Sequence, residues 1–200
     1  MQIETITGGF AATNGYLVEA PDGTWILFDA PEGAARWAEE KGIEIGHLVL
    51  THQHFDHVMD AAALQAGGAV VHAWAEYSLS LTLADVFTLP VRPDPFEVDR
   101  VLEGEKILEI GGLVFEIAHV PGHSPDSVVF HHRDSGVVFC GDTVFAGSIG
   151  RTDLPGGNHE QLIEGIRRHL LSLPPSTCLL PGHGPPTTAG EEAEDNPYLA

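Results

Sequence analysis

Four times in this chain an apolar, strand-like run breaks off into a turn that carries histidine or aspartate. The first is Ile45-Gly46-His47-Leu48-Val49-Leu50, followed by Thr51-His52-Gln53-His54-Phe55-Asp56-His57. The others are Ile117-Ala118-His119-Val120-Pro121-Gly122-His123, Val138-Phe139-Cys140-Gly141-Asp142 and Leu179-Leu180-Pro181-Gly182-His183. Strand ends are where α/β sheets build open chemistry. A metal ion needs several neutral nitrogen and anionic oxygen donors converging on one point. Residues 51–57 alone supply three imidazoles and a carboxylate, at the alternating spacing that turns two sides of a short loop toward two ions. In the other three runs a glycine precedes the candidate ligand, which lets the backbone turn sharply beside a crowded centre. The competing reading of residues 51–57 is a histidine-rich surface turn that binds nothing.

Two hundred residues suit a single domain over 1–200, and 43% apolar content is enough for a real core. No stretch has the length of a membrane span. Residues 1–5 lack a basic region followed by an apolar run, so no secretory signal is expected. Cys140 and Cys178 lie in apolar runs, which fits packing roles and a cytoplasmic setting better than a disulfide framework. The formal charge of −20 weighs against DNA or RNA as a partner, since nucleic-acid binding rests on cations that displace phosphate counterions. It fits equally a soluble enzyme or an adaptation to salt.

Tyr16-Leu17-Val18 and Trp25-Ile26-Leu27-Phe28 read as strands of a hairpin turned at Pro21-Asp22-Gly23. Residues 32–41 are helix-like, with Gly42 as the stop, and residues 61–66 form a second helix ended by Gly67-Gly68. Strands are expected at 69–72, 106–108, 113–117, 128–130 and 137–139. Residues 83–99, with Pro90, Pro93 and Pro95, read as an extended loop at the rim of a site. A helix starts at Asn158, with Gln161 three residues on resembling a capping box, and runs to about Leu171 before Pro174-Pro175. This alternation favours a two-sheet α/β sandwich over a helical bundle or a simple barrel.

The order His-x-His-x-Asp-His, then His, Asp and His, resembles the metallo-β-lactamase superfamily. Within it the chain is most similar to the glyoxalase II branch, the hydroxyacylglutathione hydrolases, in a compact form without their C-terminal helical domain. The resemblance rests on residues 51–57, Pro121-Gly122-His123-Ser124, Gly141-Asp142-Thr143-Val144-Phe145, residues 150–157, Pro181-Gly182-His183-Gly184-Pro185 and the tail with Thr187-Thr188 and Asn196-Pro197. It implies an αββα sandwich of two mixed β-sheets flanked by helices, with the site at one edge. By position, it implies that His52, His54 and His123 hold one metal ion and Asp56, His57 and His183 a second. Asp142 would bridge the two, beside a bridging hydroxide that Asp56 orients. The implied cofactors are two divalent ions, zinc first, with iron or manganese as alternatives.

Five neutral imidazoles, two carboxylates and a hydroxide against two divalent ions leave one unit of positive charge. Such a centre lowers the pKa of bound water from 15.7 to roughly 7. The expected reaction is therefore hydrolysis of a small-molecule thioester such as S-D-lactoylglutathione by the metal-bridging hydroxide. Another ester or lactone is an alternative. So is a different reaction class, that of the persulfide dioxygenases, which are similar in outline and use a single iron. An RNA-processing nuclease is disfavoured by the charge, a non-catalytic metal module by the openness of a two-metal site, and β-lactam hydrolysis by the lack of an export signal.

Outside the donor set, Arg151 has two readings, a cation that contacts substrate or a structural partner of Asp153. Asp29 and Thr51 are expected to support the donor turn from behind. His47, His72, His119, His131, His132 and His169 have no ligand spacing, and His159 stands apart only by its nearness to the mouth-forming loop. Metal identity, oligomeric state and natural substrate are not legible in these residues.

Overall fold

The computed structural model describes residues 1–89 and 91–200; Pro90, one of the three prolines of the expected rim loop, lies outside the described residues. The first sheet is built from β1 (Ile3–Gly8), β2 (Thr13–Glu19), β3 (Trp25–Phe28), β4 (Ile45–Val49), β5 (Val70–Ala73) and β6 (Arg100–Val101), side by side in that order. Its first three strands pair antiparallel and the rest pair parallel. The change of direction follows the connections. Hairpins join β1 to β2 and β2 to β3, while α1 (Ala34–Lys41) and α2 (Ala61–Ala66) are the crossovers that parallel neighbours require. Gly42 ends α1 in the left-handed conformation at φ 69°, as its place after Lys41 led us to expect. Beyond β5 comes the short helix α3 (Leu79–Thr82).

The second sheet contains β7 (Ile107–Ile110), β8 (Leu113–His119), β9 (Val128–His132) and β10 (Val137–Gly141). A small ribbon of β11 (Val144–Phe145) and β12 (Ser148–Ile149) follows, then α4 (His159–His169), β13 (Cys178–Pro181), β14 (Thr187–Thr188) and α5 (Ala189–Asp195). The order across the second sheet is β14-β13-β10-β9-β8-β7. Both sheets are thus mixed, and the expected αββα sandwich is the observed fold. The Asn158 side chain caps α4 by accepting from the Gln161 backbone N–H at 3.1 Å. A full reciprocal capping box forms one helix later, between Thr188 and Glu191 at the start of α5.

Strand alternation sorts the core into three layers. Tyr16, Val18, Ile26, Phe28 and Val49 face Leu108, Phe115, Phe130, Phe139 and Leu180 between the sheets. Phe28 stacks on Phe139 with ring centroids 3.8 Å apart and planes within 5°. The opposite faces are covered by helices. Leu17, Leu27, Leu48 and Val71 pack on Ala34, Ala38, Ala61 and Leu64, while Val129, Val138, Cys140 and Leu179 pack on Leu162, Ile166 and Leu170. Phe96 and Val98, at the end of the expected rim loop, join the first of these outer layers. Only the earlier part of that loop is left to form a rim.

The topology also places the strand ends. β8 and β10 both run antiparallel to β9, and β10 runs parallel to β13, so their three carboxyl ends share one edge of the second sheet. His123, Asp142 and His183 follow those ends. In the first sheet, parallel β3 and β4 deliver Asp29 and Thr51 together. Backbone bonds then tie the edges of the two sheets: Asn14 N to Gly182 O at 2.7 Å and Val128 N to Thr51 O at 2.9 Å.

Candidate metal centre

All seven residues expected to ligate meet at this edge. Three groups of donors form, each with its ligand atoms within 4.8 Å of one another: His52, His54 and His123; His52, His57 and Asp142; and Asp56, His57 and His183. Asp142 faces residues of both expected sites, with Oδ2 at 3.4 Å from His123 Nε2 and 3.3 Å from His183 Nε2, and Oδ1 at 3.3 Å from His57 Nε2. Asp56 Oδ2 lies 3.3 Å from His183 Nε2 and 3.6 Å from His57 Nε2.

The donor chemistry fits divalent cations. Nε2 of His52, His57 and His123 and Oδ1 of Asp142 are buried and have no hydrogen-bond partner within the protein. Buried polar atoms are normally paired, because desolvating one without compensation costs on the order of 1–3 kcal/mol. Four such atoms aimed at one another are a donor set that a cation could satisfy. Close backbone approach is part of the design: a Cβ at Gly182 would collide with Asp142 Oδ1 and the His57 ring.

The outward ring nitrogens are held by the protein. His57 Nδ1 donates to Asp29 Oδ2 at 2.9 Å, His123 Nδ1 to the Arg151 carbonyl at 2.8 Å and His183 Nδ1 to the Ala11 carbonyl at 3.1 Å. His52 Nδ1 lies 3.2 Å from Thr51 Oγ1, which itself donates to Asp29 Oδ2 at 2.8 Å. A proton committed outward leaves the Nε2 lone pair facing inward, the tautomer a metal requires. Asp29 accepts a further bond from the Thr51 backbone N–H at 2.8 Å and sits at φ 59°. A non-glycine residue in that region is uncommon, and the bonds on both carboxylate oxygens hold it there.

Charge in the cluster is strongly redistributed. Burial, and then the facing His57 and His54 rings, push His52 far below the usual imidazole range; burial and His123 push His54 to about 3. Burial works against charge on His57, yet the carboxylates of Asp56, Asp142 and Asp29 outweigh it and lift that ring well above the usual range. His183 also rises against burial, to about 10, through its bonds to Asp142 and Asp56. Burial alone would raise Asp56, but His57 and His183 hold it at about 2; the same two rings hold Asp142 well below the carboxylate range. Two ionised carboxylates thus call for positive charge at the centre, while His52 and His54 stay neutral and available as donors.

Beside the donors lies a cavity of about 300 Å³. Its wall is largely apolar, with Phe10, Phe55, Leu83, Phe87, Leu89 and Leu154. Phe10 stacks on Phe55 at 5.7 Å, and Phe55 meets Phe87 at 5.6 Å. Arg151 makes the ion pair of its structural reading, a bidentate guanidinium pair with Asp153 with both bonds at 2.8 Å, and also borders the cavity. His159 does not reach the cavity; it lines a surface depression along α4 with Glu160, Ile163 and Tyr198. His119 stacks on Trp74, and His47 shares a hydrogen bond with His72.

Three residues at the site were not singled out from sequence. Thr13 donates its hydroxyl to Asp56 Oδ2 at 2.6 Å. Gln53, fully buried between two candidate ligands, points away from them, donates to the carbonyls of Ala75 and Glu76, and accepts from the Ser78 N–H. Asp126, also buried, accepts from the Gln53 N–H at 3.0 Å and from the Ser124 hydroxyl. The polar run Ser124-Pro125-Asp126-Ser127 between two apolar strands was the available signal for Asp126. Nothing local marks the other two.

The family model described as the metallo-beta-lactamase superfamily matches residues 8–183. Hydroxyacylglutathione hydrolase GloC of Haemophilus influenzae is 40% identical over 80% of this chain and 79% of its own length. Among solved structures, BLEG-1 B3 metallo-beta-lactamase superposes with a TM-score of 0.89 at 33% identity, covering all of both chains. TTHA1623 in a di-iron-bound form superposes at 0.82 with 37% identity, over 98% of this chain and all of that one. ETHE1 from Myxococcus xanthus superposes at 0.81 with 26% identity, over 98% and 84%.

Proposed function

This chain belongs to the metallo-beta-lactamase superfamily, and from that premise we propose that it is a two-metal hydrolase of small-molecule thioesters, with S-D-lactoylglutathione the first substrate to test. In this reading His52, His54 and His123 hold one ion and Asp56, His57 and His183 the other, with Asp142 between them. The observation that carries it is the set of buried, unpaired Nε2 and Oδ1 atoms converging in front of an open cavity. Bound there, divalent ions would polarise an acyl carbonyl and bring the pKa of water from 15.7 to roughly 7. Asp29, Thr51 and the carbonyls of Ala11 and Arg151 fix the imidazole tautomers, and Thr13 orients Asp56. Asp56 is the group we assign to orienting the nucleophile.

The 40% identity to GloC supports the thioester, and the di-iron form of TTHA1623 supports two ions, with iron a candidate beside zinc. The likeness to ETHE1 keeps the single-iron dioxygenase as the second reading. The likeness to BLEG-1 adds β-lactams to the substrates worth assaying. No helix among the described residues is long and apolar enough to cross a membrane. We place the protein in the cytoplasm, where the free thiols Cys140 and Cys178 would stay reduced.

The test is thiol release from S-D-lactoylglutathione by purified protein of measured metal content. Saturable turnover abolished by chelator is the expected result. Inactivity with two ions bound would move the search to other thioesters, lactones and β-lactams. One bound iron with oxygen consumption on a persulfide would replace the hydrolase by the dioxygenase.

A further inference from the structure

The cavity wall and the charge around it bear on which thioester fits. Three aromatic rings in contact, with Leu83, Leu89 and Leu154, give an acyl group an apolar surface to bury. Phe10, at the mouth, is 64% exposed, a large apolar ring left in water beside the donor cluster. Burying apolar area of an acyl group against such surfaces favours binding.

The polar side of the cavity is unfavourable to anions. Arg151 is the one lysine or arginine among the described lining residues, and its charge is matched by Asp153 through two bonds. Arg92, in the loop that supplies Leu83, Phe87 and Leu89, is likewise paired with Asp85. The whole chain carries −20, a net field that disfavours the approach of a further anion. A glutathione thioester has carboxylates at both ends of its thiol portion, away from the reacting carbonyl. At this mouth they would find no uncompensated cation among the described residues.

Resting on the hydrolase reading above, we propose that the site selects thioesters with an apolar acyl group and a thiol portion of no net negative charge. Glutathione thioesters would then be turned over as poor analogues of the preferred class.

The test compares the phenylacetyl thioester of N-acetylcysteamine, neutral and apolar, with S-D-lactoylglutathione on metal-loaded protein. The expected kcat/KM ratio favours the neutral substrate by about tenfold at 50 mM salt. It should narrow at 500 mM salt, where screening weakens repulsion. Asp153→Asn, which removes the counter-charge on Arg151, should shift the ratio about threefold toward the glutathione thioester. Phe10→Ala should raise KM for the phenylacetyl substrate about fivefold with metal content unchanged. A glutathione thioester equal to or better than the neutral one at low salt overturns the selectivity and leaves the hydrolase reading intact. Binding of the matching thioether analogues, neutral and anionic, is measured in parallel by calorimetry. Should neither thioester be cleaved, the search for the hydrolysed bond moves to other thioesters, lactones and β-lactams, and the selectivity stands or falls on the ratio of those two affinities.

Discussion

The donor cluster and the cavity wall beside it are held in different ways. Around the cluster, four of the five imidazoles have an outward nitrogen bonded or closely opposed to a fixed partner, and Asp29 serves two of them at once, one directly and one through Thr51. The Gln53 side chain ties the ligand turn to residues 75–78, from which the chain runs through α3 into the wall at residues 83–89, and there Phe87 meets Phe55 of the turn at 5.6 Å. A metal centre tolerates little error in donor position, whereas a substrate wall gains from being able to adapt. The lesson is that rigidity in this molecule is spent where charge is concentrated.

The comparison breaks if the cluster proves tolerant. Asp142→Ala removes the carboxylate that faces both candidate sites and should cost about 10³-fold in turnover, about 4 kcal/mol, with loss of one metal ion. Elemental analysis and initial rates check it; full metal content with full activity would remove Asp142 from the centre. Next in size is Asp29→Asn, which replaces no expected ligand but alters the partner of His57 Nδ1. Its amide N–H₂ would face either the Thr51 N–H or the Thr51 hydroxyl and the His57 Nδ1–H, donor against donor. Metal affinity should fall by about 10- to 100-fold, read by competition with a chromogenic chelator. An unchanged affinity would mean that tautomer control lies elsewhere.

Much of the cluster was legible because its information is local. His52, His54, Asp56 and His57 lie within one turn, and Gly-His or Gly-Asp after an apolar run marks the other three donors wherever the sheets deliver them. The partners behind them were less legible, because each depends on contacts between distant segments. Thr13 reaches Asp56, 43 residues away, and Asp126 reaches Gln53, 73 residues away. Asp29 was visible because it closes a strand, at a place where the superfamily it resembles carries an aspartate. In the fold, long apolar strands were readable, whereas β6, β11, β12 and β14 are two-residue pairings with no periodicity to detect. Helix α5 escaped because its sequence, AGEEAED, has no apolar face beyond small alanines. The loop at 83–99 read as uniform from its prolines, yet Phe96 and Val98 bury into the outer core while Leu83 and Phe87 line the cavity.

The link between the two regions is sharpened by Gln53→Ala. Three hydrogen bonds to the 75–78 segment are lost, while the backbone bond from Gln53 to Asp126 remains. Metal content should stay unchanged, amide exchange over residues 77–89 should accelerate, and KM should rise about three- to tenfold. Loss of metal instead would show that the wall and the cluster form one unit, and the contrast between them would fall.

The smallest effect concerns the other side of that turn. Burial raises the Asp126 carboxyl to about 6 from 3.8, against bonds from the Ser124 hydroxyl and the Gln53 N–H that favour its charged form. A carboxyl whose folded pKa exceeds its unfolded value binds more protons folded than unfolded between the two. Its contribution to stability is therefore fully present below about pH 4 and is lost as pH rises through about 6. Asp126→Asn would mimic the protonated acid, with its carbonyl accepting from the Gln53 N–H and its amide donating to Ser124 Oγ. At pH 7.5 this variant should be more stable than the parent by on the order of 1 kcal/mol, and the difference should shrink toward pH 4. Urea titrations at the two pH values, on protein of matched metal content, measure it. A variant less stable at both would mean that the ionised carboxylate is needed to hold Gln53, and the donor turn would then depend on charge on its outer side as well as its inner one.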